Sequence, residues 1–122
     1  MTRLFVYGTL LTGEHNHHLM GGLSPVGTAT TEPVYSLLDM GGYPAIVEGG
    51  STAIVGELYD VDAETLSRLD ILEDVPELYL RVTATVAGDS VELYVLRPEH
   101  AGGGTRIPRG DWRDWRASRS RV

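Results

Sequence analysis

Residues 69–81, Leu69-Asp-Ile-Leu-Glu-Asp-Val-Pro-Glu-Leu-Tyr-Leu-Arg81, carry the chain from the end of a helix, through a turn, into a strand. Leu66, Leu69 and Leu72 recur at helical spacing, and Asp62 with Glu64 two residues on suits a helix N-terminus. Pro76 disfavours the α region at Val75, so the helix should end near Glu73. Leu78 to Ala87 then alternates and is rich in Thr and Val, Gly88-Asp89 is a tight turn, and Val91 to Leu96 reads as the hairpin partner. Three carboxylates, Asp70, Glu73 and Asp74, crowd the helix–strand junction.

Upstream the chain is written in short strands. Arg3 to Tyr7 is an apolar run stopped by Gly8-Thr9. Val26–Thr31, Val34–Met40 and Pro44–Val47 follow, separated by glycine turns. Ala53 to Val61 alternates, with Gly56 marking a bulge or a close approach of another backbone. The tally is six or seven short strands and one clear helix that does not alternate with them. This excludes a doubly wound sheet and points to an α+β fold: a small mixed β-barrel with one main packed helix. The 122 residues suit a single domain over 1–122, with about 101–122 expected as an irregular C-terminal extension, where Asp111 could cap a turn carrying Trp112 and Trp115.

Composition removes several chemistries. Cysteine is absent, which excludes disulfides, thiolate metal sites and a Cys nucleophile; all ten basic residues are Arg, which excludes a Schiff-base or P-loop lysine. The net charge of −7 is unevenly spread: the first hundred residues are acidic and should repel nucleic acid, whereas residues 101–122 hold six Arg. That tail reads first as a solvated end offsetting the acidic body, and second as a contact for RNA or an acidic partner. No apolar run is long enough for a membrane span and the N-terminus makes a poor signal peptide, so a cytoplasmic protein is expected. With no apolar stretch left unassigned, a monomer is expected too.

Two stretches carry candidate chemistry. Glu73 sits at a helix C-terminus, with Asp70 on the same helix face and Asp74 adjacent; dipole, like charges and burial would each raise its pKa toward the range of a general acid or base. Tyr7-Gly8-Thr9-Leu10 ends a strand in a turn whose backbone N–H groups could hold a carboxylate or oxyanion, Gly8 removing the Cβ that would block approach. Tyr79 and Arg81 share strand parity and could both face a pocket beside Glu73. On spacing alone, the plainer readings are an exposed acidic helix end and an ordinary turn. His15, His17 and His18 have no metal-site spacing, so no metal is expected.

Five blocks, VYGTLLTGEHNHHL, GGYPAIV, GELYDVD, LDILEDVPELYLR and IPRGDW, together resemble the γ-glutamylcyclotransferase-like (AIG2-like) family, in the family's order and over most of the chain. The resemblance implies a small α+β fold with a closed or nearly closed barrel. It implies that Tyr7, Gly8, Thr9 and Leu10 bind the α-carboxylate end of a γ-glutamyl group, that Glu73 is the acid/base, and that 5-oxoproline and a free amine are formed without metal or organic cofactor. Leu11 stands where the family often has a basic residue. A non-catalytic small-molecule binding module using the same pocket is the alternative.

Overall fold

The computed structural model describes residues 1–119. Eight strands form two sheets: β1 (Thr2–Val6), β2 (Gly27–Thr30), β3 (Tyr35–Asp39), β4 (Pro44–Glu48), β5 (Val55–Val61), β6 (Tyr79–Val86), β7 (Asp89–Leu96) and β8 (Thr105–Ile107). The larger sheet has the order β2-β5-β1-β7-β6 and the smaller the order β4-β3-β8. All pairings are antiparallel except β1 with β7, where Leu4 lies opposite Glu92. Two helices complete the fold, α1 (Ala63–Leu72) and α2 (Trp112–Arg119).

The α+β expectation holds, but the barrel does not close. β2 and β6 end the larger sheet, and the smaller sheet packs across its face as a separate layer. The Thr-rich composition of β2 and β6 suits such edges, where one side of each strand has no ladder partner.

β1 explains the layering. Its side chains alternate between faces, and Leu4, Phe5 and Val6 are all buried. Leu4 and Val6 join Tyr59, Val61, Tyr94 and Leu96 against Leu66 and Leu69 of α1. Phe5 and Tyr7 join Leu58, Leu93 and Val95 against Leu37 and Ile46 of the smaller sheet. A strand covered on both sides needs no polar face, which is why RLFVY reads as an unbroken apolar run. Gly56 lies where the packing is tightest: a Cβ there would fall on the Val6 carbonyl oxygen.

α1 begins as its sequence suggests. The Asp62 side chain accepts a hydrogen bond from the Thr65 N–H at 2.8 Å, the geometry of an N-cap. Leu66 and Leu69 enter the core, while Leu72 is 42% exposed, so the leucine stripe splits at the last turn. Glu73 is the C-cap residue.

Within the C-terminal extension expected to be irregular, β8 and α2 are ordered, while residues 120–122 lie outside the described ones. β8 pairs with β3, placing Ile107 opposite Leu37, and α2 buries Trp112. The Gly110 carbonyl accepts a hydrogen bond from Val55 N–H at 2.8 Å, and a side chain at Gly110 would collide with the Ala53 backbone. Asp111 caps α2, accepting from the Asp114 N–H at 3.1 Å. Among the described residues, no helix is long and apolar enough to cross a membrane.

Candidate active site

A cavity of about 370 Å³ opens between the end of β1, the loop before β4 and the α1–β6 junction. Tyr7, Gly8, Thr9 and Leu10 form one wall, continued by His15 and Asn16. Gly41, Gly42, Tyr43 and Pro44 form a second wall. Leu72, Glu73, Leu78 and Tyr79 come from the α1–β6 junction, and Tyr94 from β7. Of the residues singled out in the sequence, six meet here: Tyr7, Gly8, Thr9, Leu10, Glu73 and Tyr79.

Arg81 does not line the cavity. It faces the α1 side of the sheet, as its parity with Tyr79 requires, but two carboxylates hold it there. Nε and Nη2 donate to Asp70 at 2.9 and 3.1 Å, and Nη1 donates to Glu92 at 2.5 Å. Its guanidinium ties the end of α1 to β6 and β7.

Glu73 is the one carboxylate lining the cavity, and among the described residues its side chain has no hydrogen-bond partner. Burial raises its pKa from 4.5 to about 7. Of the three causes expected from the sequence, burial is the one that acts; the neighbouring Asp70 adds nothing, its charge being taken up by Arg81.

The hydroxyls of three tyrosines around Glu73 are each engaged by a partner other than Glu73. Tyr7 OH donates to the Tyr94 carbonyl at 2.8 Å and accepts from the Ile46 N–H at 3.3 Å. Tyr79 OH donates to the Pro44 carbonyl at 3.2 Å, and Tyr94 OH donates to Asp70 Oδ1 at 2.7 Å. Desolvation is the leading cause that raises all three phenol pKa values, and the Glu73 charge raises each further. The result is an apolar-walled cavity with an otherwise unpaired carboxylate in it.

The opposite polarity comes from backbone. Among the described residues, the amides of Gly8, Thr9 and Leu10 donate to no protein acceptor, whereas the following Leu11 N–H closes a turn on the Gly8 carbonyl at 3.0 Å. Asn16 stiffens this loop, donating from its N–H to the Thr9 carbonyl and from Nδ2 to Thr9 Oγ1, both at 3.0 Å. Gly8 is buried against the second wall, where a Cβ would collide with the Pro44 ring. The histidines serve the same loop: His17 Nδ1 hydrogen-bonds the Leu10 carbonyl at 2.9 Å and His18 Nδ1 that of His15 at 3.0 Å.

Sequence reasoning did not single out Tyr94, Asn16, Tyr43 or Pro44 as lining residues. Tyr94 was recoverable, because it lies opposite Arg81 in the β6–β7 hairpin and so shares the face of Tyr79. Asn16 and Tyr43 reach the cavity through loop paths that no periodicity encodes, and Pro44 from the first residue of β4.

The profile of the family described as "Gamma-glutamyl cyclotransferase, AIG2-like" matches residues 4–114, and the chain belongs to that family. A Vibrio cholerae protein whose name assigns it provisionally to the gamma-glutamylcyclotransferases is 42% identical over 109 residues, covering 89% of this chain and 93% of that one. The crystal structure of an AIG2-like protein from Mus musculus superposes with a TM-score of 0.74 at 28% identity, covering 92% of this chain and 88% of that one. A Pyrococcus horikoshii protein superposes with a TM-score of 0.81 at 28% identity, covering 98% and 96%.

Proposed function

We propose that this protein converts a γ-glutamyl amine or γ-glutamyl peptide into 5-oxoproline and the free amine, with Glu73 as general acid and base. The observation that carries the reading is the lone Glu73 carboxylate, held near pKa 7 in the same cavity as three unengaged backbone amides. The family's activity gives the reaction class.

In this reading the amides of Gly8, Thr9 and Leu10 receive the substrate's α-carboxylate, and the tyrosine rings enclose the glutamyl chain. The Glu73 carboxylate takes a proton from the substrate's α-ammonium. The freed amine attacks the γ-carbonyl of the same molecule, forming the ring C–N bond. The tetrahedral intermediate then collapses: the Glu73 carboxylic acid gives its proton to the leaving nitrogen, the bond to that nitrogen breaks, and the ring nitrogen sheds its second proton through the re-ionised Glu73 to the released amine, so that 5-oxoproline and a protonated amine leave. One carboxylate with a pKa near 7 is matched to both transfers. Nucleophile and electrophile are already tethered, so holding the chain in a folded conformer supplies much of the rate. No water enters the balance.

The test is 5-oxoproline release from a panel of γ-glutamyl amines whose leaving groups are a lysine ε-amine, a polyamine and an α-amino acid, with wild type beside Glu73→Gln. Release by wild type and a loss of at least about a hundredfold in the variant is the expected result. Equal rates in the two would remove Glu73 from the mechanism. Ligand-induced thermal stabilisation without any 5-oxoproline would instead make the cavity that of a binding module.

A further inference from the structure

The C-terminal helix α2 lines no part of the cavity, yet it reaches both walls. On one side Trp115 Nε1 donates to Asp39 Oδ2 at 2.9 Å. The other oxygen, Asp39 Oδ1, accepts from the Gly41 and Gly42 N–H groups at 2.9 and 3.2 Å. Those glycines have φ values of 100° and 115°, a conformation L side chains rarely adopt, and they carry Tyr43 to the cavity mouth, where it is 41% exposed. On the other side Arg113 Nη1 donates to the Thr12 carbonyl at 3.0 Å and Arg116 pairs with the buried Glu14 carboxylate. Thr12 lies two residues beyond the Gly8–Leu10 wall, and its N–H is held at 2.8 Å by Glu57 of β5.

We propose that α2 is a clamp that sets the separation of the two cavity walls, with Trp115 as a positioning residue acting on the Gly41–Tyr43 wall through Asp39. The part that concerns turnover rests on the cyclotransferase reading above; the mechanical part does not. The logic is geometric. A glycine pair at positive φ has no side-chain packing of its own to hold it, so its conformation depends on the acceptor its amides find. Asp39 is that acceptor, and one of its two oxygens is fixed by an indole from a helix whose Arg113 and Arg116, on either side of Trp115, grip the opposite wall. Trp115 also packs on the core beneath the smaller sheet, and the Arg119 guanidinium covers its ring at 4.7 Å, so the donor is itself held.

The experiment compares wild type with Trp115→Phe, which keeps a ring and removes the donor, with Asp39→Asn, which keeps one oxygen for the glycine amides but presents an amide donor to the indole if that oxygen stays on them, and with the double variant. Backbone ¹⁵N order parameters are measured first, without substrate. Gly41 and Gly42 should fall from about 0.85 to below about 0.6 in either single variant, while Leu37 and Ile46 in the β3–β4 ladder stay rigid. Unchanged values at both glycines in both single variants would overturn the clamp. For the γ-glutamyl amine that wild type turns over fastest, KM should rise about tenfold with kcat within about threefold, and the double variant should be no worse than the worse single. Loosened glycines with an unchanged KM would overturn the link to substrate. If wild type released no 5-oxoproline, the cyclotransferase reading would fail and the order parameters alone would decide the clamp.

Discussion

Arg81 grips Asp70 with two parallel hydrogen bonds, Nε to Oδ1 and Nη2 to Oδ2, at 2.9 and 3.1 Å. This pair lies one helical turn before Glu73 and cancels the charge that would otherwise oppose ionisation there. Arg81 is therefore a brace between α1, β6 and β7. Arg81→Met should lower stability by about 2 kcal/mol, because it strands two half-buried carboxylates, while leaving KM within about threefold. Urea denaturation beside steady-state kinetics checks both. A large rise in KM with unchanged stability would return Arg81 to the substrate.

The rate should follow the ionisation of Glu73. In the proposed mechanism its carboxylate must be free to accept the α-ammonium proton, and burial sets its pKa at about 7. A plot of kcat/KM against pH should therefore rise through an acid limb near pH 7. A limb at the ordinary glutamate value near 4.5 would mean that the cavity is wetter than its walls suggest.

Stability should move in the opposite direction. Folding raises the Glu73 pKa from 4.5 to about 7, so the folded state holds its proton more tightly than the unfolded chain. This contribution is fully present below about pH 4.5 and is lost as pH rises through 7. From this group alone, the ligand-free protein should be less stable at pH 8 than at pH 5 by up to about 3 kcal/mol. Glu73→Gln should remove that component, so the difference in melting temperature between variant and wild type should grow with pH.

Gly8→Ala tests the first wall. The added Cβ has no space beside the Pro44 ring, so the walls must part. A loss of about 1–3 kcal/mol in stability and of at least tenfold in kcat/KM is expected, from thermal melts and kinetics on the same preparation.

Much of this arrangement is legible in the order of residues. Asp62, the leucines of α1 and Pro76 state where the helix begins and ends, and Gly88 after Ala87, both at positive φ, states where β6 turns into β7. Glu73 and the Tyr7–Leu10 loop can be named as candidates from chemistry, but on spacing alone they read more plainly as an exposed acidic helix end and an ordinary turn, and the family resemblance singles them out. The missed parts are those whose structure depends on distant partners. β8 has three residues, between Gly104 and Pro108, and is a strand only because β3 lies beside it. α2, with four Arg and Asp residues in eight, is legible only as the capped turn that Asp111, Trp112 and Trp115 suggest, because those two tryptophans are all the apolar face it has. The same applies to Glu14 and Glu57, acidic residues that are buried because Arg116, Thr12 and Tyr59 answer them.

β1 is flanked in the larger sheet by β5 and β7, both far later in the sequence. Both faces of this strand are apolar, and both its edges need a ladder. Until β7 has emerged from the ribosome, a hydrophobic segment with an open edge therefore waits in the nascent chain. Folding of this protein must be dominated by long-range contacts, which makes it slow for its size and leaves the unfinished chain prone to pairing with others. Any shortened form that ends before Val91 would keep this apolar strand and lose the neighbour that covers its edge.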